Sequence, residues 1–66
     1  RVQNLVDKRR AELGLSRQEL ADLVQVHYQT IGYIERGEYS PSLVLALQIA
    51  KVLGEPIGVV FSLDEE

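Results

Sequence analysis

Apolar residues recur at helical spacing along most of this chain, and glycine, proline and serine cut the recurrence into short segments. Val2, Leu5, Val6, Arg9 and Leu13 share one face of a first helix predicted over Val2–Leu13. Gly14 follows where a left-handed residue ends a helix. Ser16 opens a second helix, and Glu19 three residues on completes a capping box. Leu20, Ala21, Leu23 and Val24 give that helix its apolar side before it ends near Gln25. After Val26 a third helix is predicted to run to about Arg36, with Ile31 and Ile34 inward and Gly37 as its stop. Ser40 or Ser42 caps a fourth helix, and the sequence leaves the two open; Pro41 suits a first turn in the former case. The inward set of this helix is read as Leu43, Ala46, Leu47, Ala50 and Leu53, with Gly54 at its end. Pro56 starts a short fifth helix to Phe61, since its missing N–H does no harm in a first turn. Ser62 to Glu66 is either a frayed end or a short strand.

The chain has 66 residues, enough for one domain, residues 1–66. A domain of this size buries only roughly 60% of the surface its unfolded chain exposes, so its core is thin. With no cysteine, neither a disulfide nor a thiolate metal site staples it. Yet 45% of the residues are hydrophobic. The fourth helix is apolar nearly all round, because Val44, Leu45, Ile49 and Val52 join its inward set and only Gln48 and Lys51 are clearly polar. Ile57, Val59, Val60 and Phe61 add to the excess. A monomer this small cannot bury it all, and the surplus predicts a homodimer formed through Ile57, Val60, Phe61 and Leu63 with neighbouring residues of the fourth helix. No run approaches the roughly 20 apolar residues of a membrane span and no signal peptide opens the sequence, so a soluble cytoplasmic protein is expected.

The second and third helices are separated only by Gln25 to His27. Two short helices joined so tightly cross steeply and need a small residue where they touch, which Ala21 supplies. With Ile31 and Ile34 buried, Tyr28, Gln29, Gly32, Tyr33 and Arg36 are expected to point outward, on a helix face able to enter the ~12 Å major groove of DNA. The unit spans about residues 16–36.

The stretch Leu15-Ser16-Arg17-Gln18-Glu19-Leu20-Ala21, then Gln29-Thr30-Ile31, Ile34-Glu35-Arg36-Gly37, Pro41-Ser42-Leu43 and Ile49-Ala50 resembles the Cro/C1-type (Xre-like) helix-turn-helix family of phage and bacterial repressors. The likeness covers nearly the whole chain without gaps inside the motif, and is greatest to the small single-domain dimeric members. It implies an all-α fold, a five-helix lambda-repressor-like DNA-binding domain in which the chain ends sometimes form a small sheet. It also implies a homodimer that binds a palindromic, inverted-repeat operator in double-stranded DNA.

Carried over by position, Gln29 becomes a base reader, its amide matching adenine N6 and N7. Tyr28 and Tyr33 fall where the resemblance implies further base or phosphate contacts, and base contact is the expectation taken for both. Gln18 matches a phosphate-anchoring glutamine, with Arg17 beside it; Gly32 and Arg36 complete the backbone contacts. The helix starts at Ser16 and His27 offer free N–H groups to phosphate. Arg10 and Glu35 match a structural ion pair that ties the first helix to the third, so Arg10→Ala is expected to damage the fold rather than specificity. Of Lys8-Arg9-Arg10, only Lys8 or Arg9 is left to meet phosphate.

Five positions depart from the pattern. Gln25 occupies a turn position that is often glycine, where a left-handed backbone costs on the order of 1–2 kcal/mol. His27 replaces the usual Ser or Thr cap, which predicts a weaker cap. Gly32 lies mid-helix at roughly 1 kcal/mol against alanine, while allowing close approach to DNA. Glu38 and Ser40 stand where many relatives carry Lys or Arg.

The net charge is −3, which opposes binding to phosphate. Its distribution moderates the objection. All seven basic residues lie within residues 1–54 against six acids, leaving that part at +1, while Glu55, Asp64, Glu65 and Glu66 make the remainder −4. Modest, strongly salt-dependent affinity follows.

Enzyme chemistry is excluded as a reading. There is no glycine-rich phosphate loop, no cysteine and no carboxylate pair near the lone His27, and there is little room for a pocket. No cofactor, metal or small-molecule ligand is expected. The alternative is an antitoxin-like or adaptor module that keeps this fold for protein interaction.

Overall fold

The first apolar residues do not join the first helix. In a computed structural model, which describes residues 2–63, Val2–Asn4 is a strand, β1, and the helix α1 begins only at Val6 and runs to Glu12. β1 pairs antiparallel with β2 (Phe61–Leu63), in the register Val2 to Leu63, Gln3 to Ser62 and Asn4 to Phe61. This corrects the helix predicted from Val2 and settles the last apolar residues as a strand. Asn4 explains the break. Its carboxamide oxygen accepts the Val6 N–H at 3.1 Å and its amide donates to the Ile34 carbonyl at 2.8 Å, so the side chain competes with helical hydrogen bonding at the entrance to α1. Asp64 to Glu66, the rest of the segment read as a frayed end or a short strand, lie outside the described residues.

Between the strands lie α2 (Arg17–Val24), α3 (Tyr28–Glu35), α4 (Leu43–Leu53) and the single turn α5 (Ile57–Val60). Local chemistry sets most of their ends. Ser16 Oγ accepts the Glu19 N–H at 3.0 Å and Glu19 Oε1 accepts the Ser16 N–H at 2.8 Å, so the capping box is complete. Gln25 ends α2 at φ 61°, left-handed without being glycine. Its strain is offset by the turn it closes, in which Val26 donates to the Ala21 carbonyl at 3.0 Å. His27 does cap α3: its Nδ1 accepts the Gln29 N–H at 3.1 Å. The imidazole thus supplies the acceptor that a serine or threonine usually provides, so the cap expected to be weaker is present. At α4 the choice falls on Ser42, whose Oγ accepts the Leu45 N–H at 3.1 Å, leaving Pro41 outside the helix.

One cluster joins all the helices: Val6, Leu20, Ala21, Val24, Ile31, Ile34, Leu45, Ile49, Ala50, Leu53 and Val60. Ala21 is fully buried beneath α3, as the tight turn requires. Leu23, by contrast, faces solvent. The inward face of α4 is Leu45, Ala46, Ile49, Ala50 and Leu53, whereas Leu43 and Leu47 are exposed. The predicted face was therefore turned by part of a turn. A helix apolar on all sides gives periodicity no basis for choosing, and the neighbours α1, α2 and α5 decide.

Arg9 is also placed differently from the sequence expectation. Its Nε donates to the Leu53 carbonyl at 2.9 Å and lies 3.5 Å from Glu55. It closes the C-terminal end of α4, where a cation suits the helix dipole, instead of standing free for phosphate.

Candidate nucleic-acid interface

The side chains of the turn unit are held by a carboxylate underneath them. Glu35, at the end of α3, has a side chain only 3% exposed, and its two oxygens serve two arginines. Arg10 Nε donates to Oε2 at 2.7 Å and Arg17 Nε to Oε1 at 2.8 Å. Arg10 further donates to the Leu15 carbonyl and to Asp7, each at 2.8 Å. The expected Arg10–Glu35 pair is therefore present and ties α1 to α3. Arg17 as a second partner was not legible in the sequence; no local spacing connects α2 with residue 35. The hydrogen bond and charge of Glu35 raise the Arg17 pKa above its ordinary value, so this guanidinium stays cationic. Its side chain is 49% exposed.

Above this network, Arg17, Tyr28, Gln29, Gly32, Tyr33 and Arg36 line one shallow depression of about 180 Å³. Six residues singled out from the sequence, on two different helices, thus meet on one face. The Tyr28 ring stacks on His27 with centroids 4.8 Å apart, so the capping residue also orients the first aromatic of the face. Tyr28 and Tyr33 are each about half exposed, and Gln29 is exposed, its side-chain amide making no hydrogen bond among the described residues. An amide with both donor and acceptor available is what adenine recognition in the major groove needs.

Two expected contacts sit otherwise. Gln18 is exposed on α2 beside the depression, with its amide bound to Asp22 at 2.8 Å. Gly32 is buried rather than open, because the Arg36 guanidinium lies across it. A neighbouring cleft of about 430 Å³ runs between Thr30, Tyr33, Glu38 and Tyr39. Among the described residues no group of three or more His, Cys, Asp or Glu is placed to hold a metal, and no helix is long and apolar enough to cross a membrane.

A second surface lies at the chain ends. Val2, Leu43, Ile57, Gly58, Phe61, Ser62 and Leu63 surround an open apolar depression of about 400 Å³. Leu43 and Leu63 are both 69% exposed, whereas Val60 is 1% exposed. Val60 belongs to the core and cannot meet a partner, a correction to its place among the interface residues. Val60 closes the single turn α5, and a turn with Ile57, Val59 and Val60 all apolar gives the sequence no basis for saying which of them faces inward.

A helix-turn-helix family model matches residues 6–60. The chain belongs to the Cro/C1-type helix-turn-helix family. An HTH-type transcriptional regulator of Methanothermobacter thermautotrophicus is 50% identical over 66 residues, covering 98% of this chain and 96% of that protein. YgzD of Bacillus subtilis, also named an HTH-type transcriptional regulator, is 43% identical over 65 residues, covering 98% of each. The crystal structure of the restriction-modification controller protein C.AhdI from Aeromonas hydrophila matches with a TM-score of 0.74 at 33% identity, over 79% of each chain. This helix-turn-helix protein is accordingly a DNA-binding transcriptional regulator, and the face built on α2 and α3 is its candidate DNA surface.

Proposed function

We propose that the protein acts in the cytoplasm as a sequence-specific repressor, laying α3 in the major groove of an inverted-repeat operator as a homodimer. The observation that carries this reading is the convergence of Arg17, Tyr28, Gln29, Gly32, Tyr33 and Arg36 on a single depression. Gln29 reads adenine with its free amide, flanked by Tyr28 and Tyr33 for further base contact. Arg17 and Gln18, on α2 at the side of the face, fix the register on phosphate without carrying sequence information. The apolar depression at the chain ends supports pairing of two copies through Ile57, Phe61 and Leu63 together with Leu43. A two-fold dimer of this kind sets half-sites about one helical turn, ~34 Å, apart. Occupying an operator then represses by excluding other proteins from the same duplex.

Selection of duplexes from a random library at low salt tests the reading. The expected result is one enriched inverted repeat, with affinity falling steeply as salt rises and enrichment lost in Gln29→Ala. A protein-interaction module is the second reading, favoured by one observation: both arginines of the face already pair with carboxylates, Arg17 with Glu35 and Arg36 with Glu38. If no sequence is enriched and only weak, salt-steep binding appears, that second reading replaces the first.

A further inference from the structure

Arg36 stands at the end of α3, where sequence position suggests a contact with backbone phosphate at the rim of the groove. Its side chain does not reach for the rim. It folds back one turn, so that a Cβ built on Gly32 meets Nη1 at 3.2 Å, Cζ at 3.9 Å and Nη2 at 4.0 Å. A methyl group there would press the guanidinium aside by a few tenths of an ångström. The guanidinium also lies 5.2 Å from the centre of the Tyr33 ring, within the range of a cation–π contact. It therefore occupies the middle of the face, where a side chain of residue 32 would stand, between Gln29 and Tyr33 along the helix.

We propose that Arg36 is a base-reading residue that recognises guanine, and that Gly32 and Tyr33 are the residues that position it. This rests on the major-groove reading given above. Guanine offers N7 and O6 side by side as acceptors, and the planar guanidinium matches them with two parallel N–H donors. The donor inventory fits. Glu38 takes the side edge, accepting from Nε at 3.3 Å and Nη2 at 3.5 Å, while no hydrogen bond among the described residues uses Nη1. The end edge, Nη1 with the second proton of Nη2, stays available for the base. Both Glu38 contacts are long and solvent-exposed, and such a pair holds an orientation weakly enough to let the arginine tilt toward DNA. Stacking on Tyr33 limits the rotamers that must be frozen on binding.

The test measures dissociation constants of the wild type, Arg36→Ala, Arg36→Lys and Gly32→Ala. Each is measured on the selected operator and on every single-base variant of its half-site, at several salt concentrations. The wild type is expected to prefer guanine at one half-site position by about tenfold or more. Arg36→Ala and Arg36→Lys both lose that preference and keep the others, with Arg36→Lys keeping the salt dependence because its charge is retained. Gly32→Ala, which removes a flexible point from the helix, keeps or raises thermal stability, yet weakens the preference at the same position by displacing the guanidinium. A uniform loss across all duplexes in Arg36→Ala, with the salt slope lowered by about 1, would make Arg36 a phosphate contact and overturn the proposal. So would an unchanged guanine preference in Arg36→Lys. If the wild type selects no sequence at all, the major-groove reading fails and this proposal with it. If it selects an operator and only the Arg36 results are uniform, the proposal fails alone.

Discussion

The face formed by α2 and α3 and the face formed at the chain ends are both open depressions, yet they are built in opposite ways. On the first, polar groups are directed: His27 caps and stacks, Glu35 holds Arg10 and Arg17, and Arg36 rests on Gly32. On the second, Leu43 and Leu63 stand in solvent around a nearly unbroken apolar floor. Hydrogen bonds have preferred directions and so specify positions, whereas apolar burial is non-directional and roughly proportional to area. The first face is accordingly prepared before any partner arrives, and the second gains most when a partner covers it.

Substitutions can break or sharpen this contrast. The largest effect is expected from Val60→Asp, which looks like a change to the terminal face but buries an unpaired carboxylate in the core. It should cost several kcal/mol and leave the chain largely unfolded by circular dichroism. Arg10→Ala comes next. Removing one partner from the buried Glu35 carboxylate should destabilise by about 3 kcal/mol in urea titration, although the residue touches no DNA. Leu63→Asp should leave the helical signal intact and shift sedimentation to the monomer at tens of micromolar, a contrast with Val60→Asp across only three residues. Gln29→Ala should weaken operator binding by about 1–3 kcal/mol at an unchanged melting temperature. The smallest effect is expected from Gln25→Gly, which relieves the left-handed backbone at φ 61° and should stabilise by about 1 kcal/mol, seen as a modest rise in melting temperature.

Much of the recognition unit was legible because its signals are local. Ser16 with Glu19, Gln25 at the turn, Ala21 at the crossing and Ile31 with Ile34 inward act within a few residues of one another, and the structure agrees at each. The terminal face was legible only as an excess. Four apolar residues too many on α4 signalled that something remains uncovered, but did not say that Leu43 and Leu47 are exposed while Leu45 and Ile49 are buried.

Short-range signals were enough for the capped start of α2 at Ser16, the tight turn at Gln25, the outward Tyr28, Gln29 and Tyr33 of α3 and the family to which they point, since caps, turns and helical period act over short stretches of chain. Tertiary structure decided the rest: Val2–Asn4 as a strand, Val60 as core, Arg9 at the end of α4, Arg17 as the second partner of Glu35. Each depends on a partner far away in the chain, with Asn4 reaching across 30 residues to Ile34 and Arg9 across 44 to Leu53. Arg36 over Gly32 is the informative exception. Its partners are near in sequence, but where a flexible side chain comes to rest depends on which neighbouring space is empty, and only the folded helix shows that.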